Sequence, residues 1–292
     1  MTLSLFLVLD AFLIWSTLVR CQVTVSASSE SLRLLSLLNP APICGFIAAT
    51  NVESLFAEWS CNADGTTSTS PCALPSWPAL ACNEQTVSGS IVELKLSQVE
   101  LTGTLPESLG SLSVLITLDV SSNKLSGSLP ESLGLLSELV YLDASDNKLT
   151  GRMPVSLGCL TLLDTLDLYV NKLTGPLPAT ISSMPVLRSM RLQFNEITGT
   201  LPEALGCLSL LASLDVNSNK LSGSIPPTVR ALSQLSYLDL LDNLLTGSLS
   251  PSIGSLSRLV LIDVAGNKLT GPIPDTLCSL SLLNTLDVSN NR

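Results

Sequence analysis

Histidine is missing from the 292-residue chain. Nucleophile systems of the Ser-His-Asp or Cys-His kind need an imidazole base, and many metal sites need imidazole nitrogens. The absence excludes both kinds of site. An enzyme built on this chain would be confined to carboxylate or lysine chemistry.

Aromatic and basic residues are scarce as well. Aromatics make up 4% of the chain, and 14 Lys and Arg stand against 24 Asp and Glu, for a formal net charge of -10. Binding to nucleic acid needs a basic face, so this balance excludes nucleic acid as a partner. Because 46% of the residues are hydrophobic but few carry rings, the core must be aliphatic, which is typical of repeat proteins whose equivalent side chains stack.

The N-terminal residues 1–19 form a mostly apolar run. We interpret residues 1–28 as a signal peptide that is cleaved between Cys21 and Ser28. Asp10 lies inside the run and no Lys or Arg precedes it, so an uncleaved membrane anchor is the alternative. A stretch of about 17 apolar residues is short for an anchor that spans the bilayer. Both interpretations predict a secreted or cell-surface protein.

Half of the eight cysteines cluster between residues 44 and 82, just before the repeats begin, at Cys44, Cys61, Cys72 and Cys82. An even number of cysteines in a short segment behind a signal peptide is typical of a disulfide-stapled cap, which we assign to residues 29–90. Four cysteines allow three pairings. We favour Cys72 with Cys82, and Cys44 with Cys61.

From residue 91 to residue 292 the sequence repeats with a period of 24. One asparagine marks each repeat: Asn123, Asn147, Asn171, Asn195, Asn219, Asn243, Asn267 and Asn291. Leucine lies eight positions before each Asn and glycine four positions after each one up to Asn267. The segment contains about eight repeats and ends at Arg292 in mid-repeat, from which we expect a missing C-terminal segment.

Each repeat predicts the same local structure. Leu118, Asp119 and Val120 alternate apolar and polar, which is the period of a half-buried strand. The Asn that follows is expected to turn inward and satisfy backbone groups, and the Gly and Pro after it shape an irregular return segment. Since no repeat buries its own apolar face, only the stack of repeats is stable.

The string LDVSSNKLSGSLPESLGLLSEL at residues 118–139 resembles the plant-type leucine-rich repeat. The segments Leu149–Gly151 with Pro154, and Leu269–Pro274, carry the same signature, and Cys72, Trp77 and Cys82 resemble the N-terminal cap of that family. The resemblance implies a leucine-rich-repeat solenoid coiled as a right-handed superhelix. It further implies a parallel β-sheet on the concave face, with short 3-10 or irregular segments on the convex face.

Aspartates four positions before the Asn form one ladder, predicted to be an exposed acidic stripe on the concave face. The alternative is that Asp is merely the usual residue at this position of the family. Arg191 replaces the Asp in the middle of the stack, and we expect it to bridge the charges of Asp167 and Asp215. We predict a ligand-binding patch around it, because Tyr and Arg are favoured at binding hot spots. Its residues are Tyr141, Tyr169, Arg191, Gln193, Phe194, Asn217 and Tyr237.

The three cysteines within the repeats are Cys159, Cys207 and Cys278. Cys159 and Cys207 occupy the same position two repeats apart, which places them about 10 Å from each other, beyond the reach of a disulfide. We expect all three to be thiols that pack without redox chemistry.

The resemblance and the absences together favour an extracellular recognition module. It would bind a protein, peptide or glycan ligand on its concave face, as the ectodomain of a receptor-like protein. The alternatives are a secreted inhibitor of a cell-wall-degrading enzyme and a structural or adhesive surface protein. We expect no enzymatic activity, no cofactor and no metal. The membrane would be reached only through the missing C-terminal segment or an uncleaved N-terminal anchor.

Overall fold

The computed structural model describes residues 80–83 and 90–292, with side chains from residue 91 onward. The predicted signal peptide at residues 1–28 and the side chains of the cap cysteines Cys44, Cys61, Cys72 and Cys82 lie outside the described residues. Their pairing therefore stays a prediction.

Strands and 3-10 helices alternate along the described residues. In chain order the strands are β1 (Leu80–Asn83), β2 (Ser90–Lys95), β3 (Thr117–Asp119), β4 (Tyr141–Asp143), β5 (Thr150–Gly151), β6 (Thr165–Asp167), β7 (Lys172–Pro176), β8 (Ser189–Arg191), β9 (Glu196–Thr198), β10 (Ser213–Asp215), β11 (Ser222–Gly223), β12 (Tyr237–Asp239), β13 (Leu244–Leu245), β14 (Leu261–Asp263) and β15 (Thr285–Asp287). The 3-10 helices are Glu107–Ser111, Glu131–Leu135, Val155–Cys159, Ala179–Ser183, Glu203–Cys207, Pro227–Ala231, Pro251–Ser255 and Asp275–Ser279.

One ten-stranded sheet runs through the stack, in the order β1-β2-β3-β4-β6-β8-β10-β12-β14-β15. Strand β1 pairs antiparallel with β2, and all later neighbours pair in parallel. The register is that of the repeat, so that Leu142 lies beside Leu166 and Leu166 beside Met190. The 24-residue period thus determines which side chains become neighbours. The sheet confirms the predicted leucine-rich-repeat solenoid.

The core is an aliphatic column between the sheet and the 3-10 helices. In one repeat, Leu118, Val120, Leu125, Leu133 and Leu136 are all fully buried, and their equivalents continue the column in both directions. The buried side chains come from the strand, from the turn after it and from the 3-10 helix. The prediction that stacking builds an aliphatic core is confirmed.

The asparagine ladder closes the turn after each strand. Nδ2 of Asn147 donates to the carbonyl oxygens of Val120, Ala144 and Ser145 at 3.0, 3.3 and 3.0 Å. Its Oδ1 accepts the backbone N–H of Leu125 at 2.9 Å. Two of these partners belong to the preceding repeat, so each Asn ties its own turn to the neighbouring one.

Glycines in the 3-10 helices allow successive repeats to approach closely. A Cβ added to Gly158 would lie 2.3 Å from the carbonyl oxygen of Thr180, in the next repeat. In the same interface, the hydroxyl of Thr180 donates to the carbonyl oxygen of Val155 at 2.7 Å. Ser182 occupies the position of Gly158 one repeat later, so the close approach is a feature of particular repeats.

The prediction of a free thiol holds for two of the three cysteines in the repeats, although both are exposed. Cys207 and Cys278 are free cysteines. Cys159 is disulfide-bonded, so the expectation of a thiol at this position is wrong. The period of the repeat predicts which residues stack on one another, but it does not predict this disulfide.

Candidate functional site

The aspartate ladder on the sheet is largely buried, and the prediction of an exposed acidic stripe is wrong for its central members. Asp143, Asp167, Asp215 and Asp239 are at most 7% exposed. For Asp143, Asp215 and Asp239 the backbone explains this burial, because each of these carboxylates folds back onto the turn that follows its strand. Oδ1 of Asp143 accepts the backbone N–H of Ser145 at 2.9 Å, and Oδ1 of Asp239 accepts that of Leu241 at 3.0 Å.

Arg191 breaks this ladder in strand β8. Its Nε donates to Oδ1 of Asp167 at 2.6 Å, and one terminal nitrogen donates to Oδ2 of the same carboxylate. Asp167 is fully buried, whereas the Arg191 side chain is 42% exposed. The predicted bridge to both neighbours is therefore wrong: within residues 91–292 the ion pair of Arg191 goes to Asp167 and not to Asp215.

Asp167 and Arg191 shift each other's pKa values in the directions expected of an ion pair. Burial raises the pKa of Asp167, and the hydrogen bonds and charge of Arg191 offset part of that rise. Hydrogen bonding to Asp167 raises the pKa of Arg191 in turn, although burial opposes it. The two-point contact fixes the plane of the guanidinium and leaves its remaining N–H groups for another acceptor.

Tyr169 completes the arrangement from the preceding repeat. The guanidinium carbon of Arg191 lies 5.6 Å from the centre of the Tyr169 ring, within the range of a cation–π contact. Arg191 is thus held by a buried carboxylate and an aromatic ring, so its side chain is ordered before any ligand arrives.

Two exposed apolar side chains lie beside this pair. Phe194 is 56% exposed and Val170 is 38% exposed. Both have a left-handed backbone, with φ of 56° and 51°, a conformation that is costly for bulky and β-branched residues. The equivalent residues Ser122, Ser218 and Asn290 are small and polar. We name Tyr169, Val170, Arg191, Gln193 and Phe194 the central patch.

Tyr141 and Tyr237 lie at the margins of the predicted site. Their strands β4 and β12 are each two strands away from β8 in the sheet, which is roughly 10 Å. Each hydroxyl donates to the aspartate of its own strand, Tyr141 to Asp143 at 3.0 Å and Tyr237 to Asp239 at 3.1 Å. Burial, aided by Asp239, raises the pKa of Tyr237 to about 12.

Asn217 lies on the opposite side of Arg191 from Tyr169, between two carboxylates. Its backbone N–H donates to Oδ1 of Asp215 at 3.2 Å, and its Nδ2 donates to Oδ2 of Asp239 at 3.1 Å. Burial raises the pKa of Asp215 to about 6, and the charge of Asp239 adds to the rise. Asn217 therefore belongs to an acidic cluster next to the central patch.

The structure thus divides the seven predicted residues. It brings Tyr169, Arg191, Gln193 and Phe194 together, places Asn217 one strand further on, and leaves Tyr141 and Tyr237 at the two margins. Val170 was not among the residues predicted from the sequence, although its bulk at a position held mostly by Ser, Asp, Asn or Gly was a usable signal. The difference between Asp167, which is paired with Arg191, and Asp215, which is not, was not predicted either.

In the described part of the chain, no group of three or more Cys, Asp or Glu residues has the arrangement of a metal site. No helix there is long and apolar enough to cross a membrane.

Comparison with known proteins identifies the repeat. The family model described as "Leucine Rich Repeat" matches residues 114–136, 138–160, 186–208, 210–232 and 258–280. No match was found among curated protein sequences. Among solved structures, the ectodomain of the Arabidopsis thaliana receptor kinase GASSHO1/SCHENGEN3, in complex with CASPARIAN STRIP INTEGRITY FACTOR 2, is 32% identical with a TM-score of 0.74. The match covers 79% of this chain and 27% of the receptor.

Two shorter structures match over most of their own length. The BIR3–SERK2 complex from Arabidopsis thaliana is 32% identical with a TM-score of 0.53, over 62% of this chain and 93% of the matched chain. A plant ice-binding protein is 25% identical with a TM-score of 0.56, over 80% and 88%.

The receptor structures are much longer than the region that each shares with this chain. The match spans 27%, 35% and 37% of the first three. The chain therefore belongs to the leucine-rich-repeat family and, within it, to the plant-type repeat proteins.

Proposed function

We propose that the chain is an extracellular recognition module that binds a protein or peptide ligand over the central patch. The observation that carries the proposal is the preorganised Arg191, held by buried Asp167 and by Tyr169 beside two exposed apolar residues. An ordered Arg next to aromatic area is typical of a binding hot spot, because little side-chain entropy remains to be lost on binding.

The relatives support a ligand of this class. GASSHO1/SCHENGEN3 was solved with CASPARIAN STRIP INTEGRITY FACTOR 2, and the receptor kinase HAESA with the peptide hormone IDA and the co-receptor SERK1. The proposal places the ligand on the sheet, the face that the resemblance predicts to be concave. The chain would bind rather than catalyse, as part of a receptor-like protein on the outside of the cell.

The location of ligand binding can be tested before the natural ligand is known. A random peptide library selected on the immobilised chain supplies the probes, and hydrogen–deuterium exchange locates where they bind. Protection is expected in segments 165–171 and 189–195, which carry the central patch. Protection confined to the 3-10 helices, such as Glu131–Leu135, would contradict the proposal.

A second candidate function is ice binding, favoured by a hydroxyl ladder at the edge of the stack. The residues flanking the repeat glycines include an array of exposed side chains: Thr102, Thr104, Ser126, Ser128, Thr150, Thr174, Thr198, Thr200, Ser224, Thr246, Ser248 and Thr270. The match to a plant ice-binding protein supports this candidate. Arg152 and Pro176 interrupt the array in its middle, which argues against it.

Ice recrystallisation separates the two candidates. If the hydroxyl ladder binds ice, the chain inhibits recrystallisation, and Thr198→Leu reduces that inhibition. If the central patch is the functional surface, the chain shows no inhibition beyond that of an unrelated protein at the same concentration.

A further inference from the structure

The cluster of Asp215, Asn217 and Asp239 has more acceptors than donors. The side chain of Asn217 is enclosed, with the residue only 8% exposed. Its Nδ2 donates to Asp239, but its Oδ1 is buried and has no hydrogen-bond partner among the described residues. An unpaired buried acceptor is unfavourable, so a group that supplied the missing donor would be bound favourably.

The neighbouring repeat adds to the surplus of acceptors. Gln193 occupies the position of Asn217 one repeat earlier, and its Oε1 is likewise buried without a partner among the described residues. Arg191 belongs to the same repeat as Gln193, but it gives its hydrogen bonds to Asp167. Neither Asp215 nor Asp239 forms a salt bridge within residues 91–292.

Other repeats do not combine these features. Oδ1 of Asp263 accepts the backbone N–H of Ala265 at 2.9 Å, yet Ala265 has no side-chain amide beside the carboxylate. The equivalent of Asn217 next to Asp143 is Ser145, whose hydroxyl donates to that carboxylate at 2.5 Å. Only between Asp215 and Asp239, within the described part of the chain, do two unbridged carboxylates enclose an amide with an unpaired oxygen.

We propose that Asp215, Asn217 and Asp239 form a binding site for a guanidinium group, supplied by an arginine side chain of the ligand. Several planar N–H donors match acceptors spaced at roughly 5 Å along the sheet, and a guanidinium is less strongly hydrated than an ammonium. The inference rests on the proposed function, since the site adjoins the central patch on the same face. Beyond the proposed function, it specifies that the ligand residue bound next to the central patch is a positively charged arginine.

A defined probe tests the site on the whole chain. The probe is the capped tripeptide acetyl-Gly-Arg-Gly-amide, and its counterpart carries citrulline, which keeps the shape of arginine but not the charge. Binding is followed by NMR through the side-chain amide signal of Asn217. The arginine peptide is expected to shift that signal saturably and the citrulline peptide is not. Equal binding of the two peptides, or no saturable shift, would overturn the proposal.

Variants locate the binding on the sheet. Asp239→Asn removes the charge but keeps an acceptor for the N–H of Leu241, so the turn is preserved, and it should raise the Kd of the arginine peptide by about tenfold. Asn217→Ala should raise it several-fold. The matched control is Asp263→Asn, from the same ladder, which should change the Kd by less than twofold. An equal loss with Asp263→Asn would mean that the arginine senses only the general field of the ladder.

The pH dependence supplies a check that needs no variant. Asp215 faces Asp239 and Arg191, and its pKa is raised to about 6. Asp239 in turn faces Asp215, Asp263 and Tyr237. Protonation of Asp215 should therefore weaken the arginine peptide several-fold as the pH falls from about 7.5 to about 5. An unchanged Kd over this range would exclude Asp215 from the site.

Failure of this inference can be told apart from failure of the proposed function. If library-selected peptides need Arg191 but Asp239→Asn leaves the arginine peptide unaffected, the guanidinium site is wrong and the central patch stands. If the arginine peptide binds at Asp239 while selected peptides protect another face, the proposed function fails and the guanidinium site remains.

Discussion

Single residues of the sheet differ in chemistry although they share a repeat position. Asp143 and Asp239 accept hydrogen bonds from the backbone turn that follows each strand, and Asp167 holds Arg191 in place. Asp215 is buried and forms no salt bridge within residues 91–292. Their sequence context is nearly the same. What distinguishes them is the residue 24 positions away, because the register of a parallel stack makes that residue the nearest neighbour on the sheet.

Asp215 should make stability depend on pH. The pKa of Asp215 in the folded chain is about 6 against an ordinary value of 3.8. As the pH rises, the unfolded chain therefore loses this proton at a lower pH than the folded chain does. The free energy of unfolding therefore falls as the pH rises from about 4 to 6, by at most about 3 kcal/mol from this group. Asp215→Asn should remove that part of the slope and be more stable at neutral pH.

Urea unfolding at several pH values measures this effect. Asp167 and Asp263, whose pKa values are also raised, contribute in the same direction to both proteins. Only the difference between the two pH profiles therefore reports on Asp215. Parallel profiles for the unaltered chain and the variant would show that Asp215 titrates normally.

Phe194 should destabilise the folded chain. Its left-handed backbone suits Asn better than Phe, and its ring is mostly exposed, so little packing would be lost on replacement. Phe194→Asn is expected to stabilise the chain by about 1 kcal/mol while weakening ligand binding. Asp146→Asn, at an equivalent position that already tolerates this conformation, is the control and should change stability by less than about 0.5 kcal/mol. A destabilised Phe194→Asn variant would mean that the ring packs against the stack.

At the scale of elements, strands and 3-10 helices are joined by different contacts. The strands are tied together by backbone ladders and by the asparagines, whereas the 3-10 helices rely on close approach at glycine. This explains why the Asn recurs in every repeat from Asn123 to Asn291, while Gly158 is replaced in the next repeat by Ser182.

Gly158→Ala tests the close approach of two 3-10 helices. The new Cβ would lie 2.3 Å from the backbone oxygen of Thr180, which cannot rotate away. The repeats must separate locally, and a loss of about 1–3 kcal/mol in the free energy of unfolding is expected. Ser182→Ala is the matched control, since that repeat already accommodates a Cβ, and it should have little effect. Equal stability of the two variants would mean that the helices adjust freely.

At the scale of the whole molecule, the sequence predicted most of the fold and part of the site. The 24-residue period predicted the strands, the aliphatic column and the role of the asparagines, because each follows from equivalent residues stacking in register. Two features were not predictable in this way. One is the burial of Asp143, and the other is that Arg191 pairs with Asp167 but not with Asp215. The first depends on how a side chain folds back over its turn, and the second on which of two neighbouring carboxylates the guanidinium contacts; periodicity encodes neither.

The central claim is that the ligand binds at Arg191 and Tyr169. The most direct measurement is the affinity of library-selected peptides for the unaltered chain and for Arg191→Ala, Tyr169→Ala, Lys124→Ala and Glu131→Ala, each confirmed to be folded at the temperature of the measurement. The two central changes should each cost about 2 kcal/mol, or roughly thirtyfold in Kd. Lys124→Ala, far along the stack, and Glu131→Ala, in a 3-10 helix, should cost less than about threefold. Full binding to both central variants, with loss in Glu131→Ala, would contradict the claim and place the ligand on the opposite face.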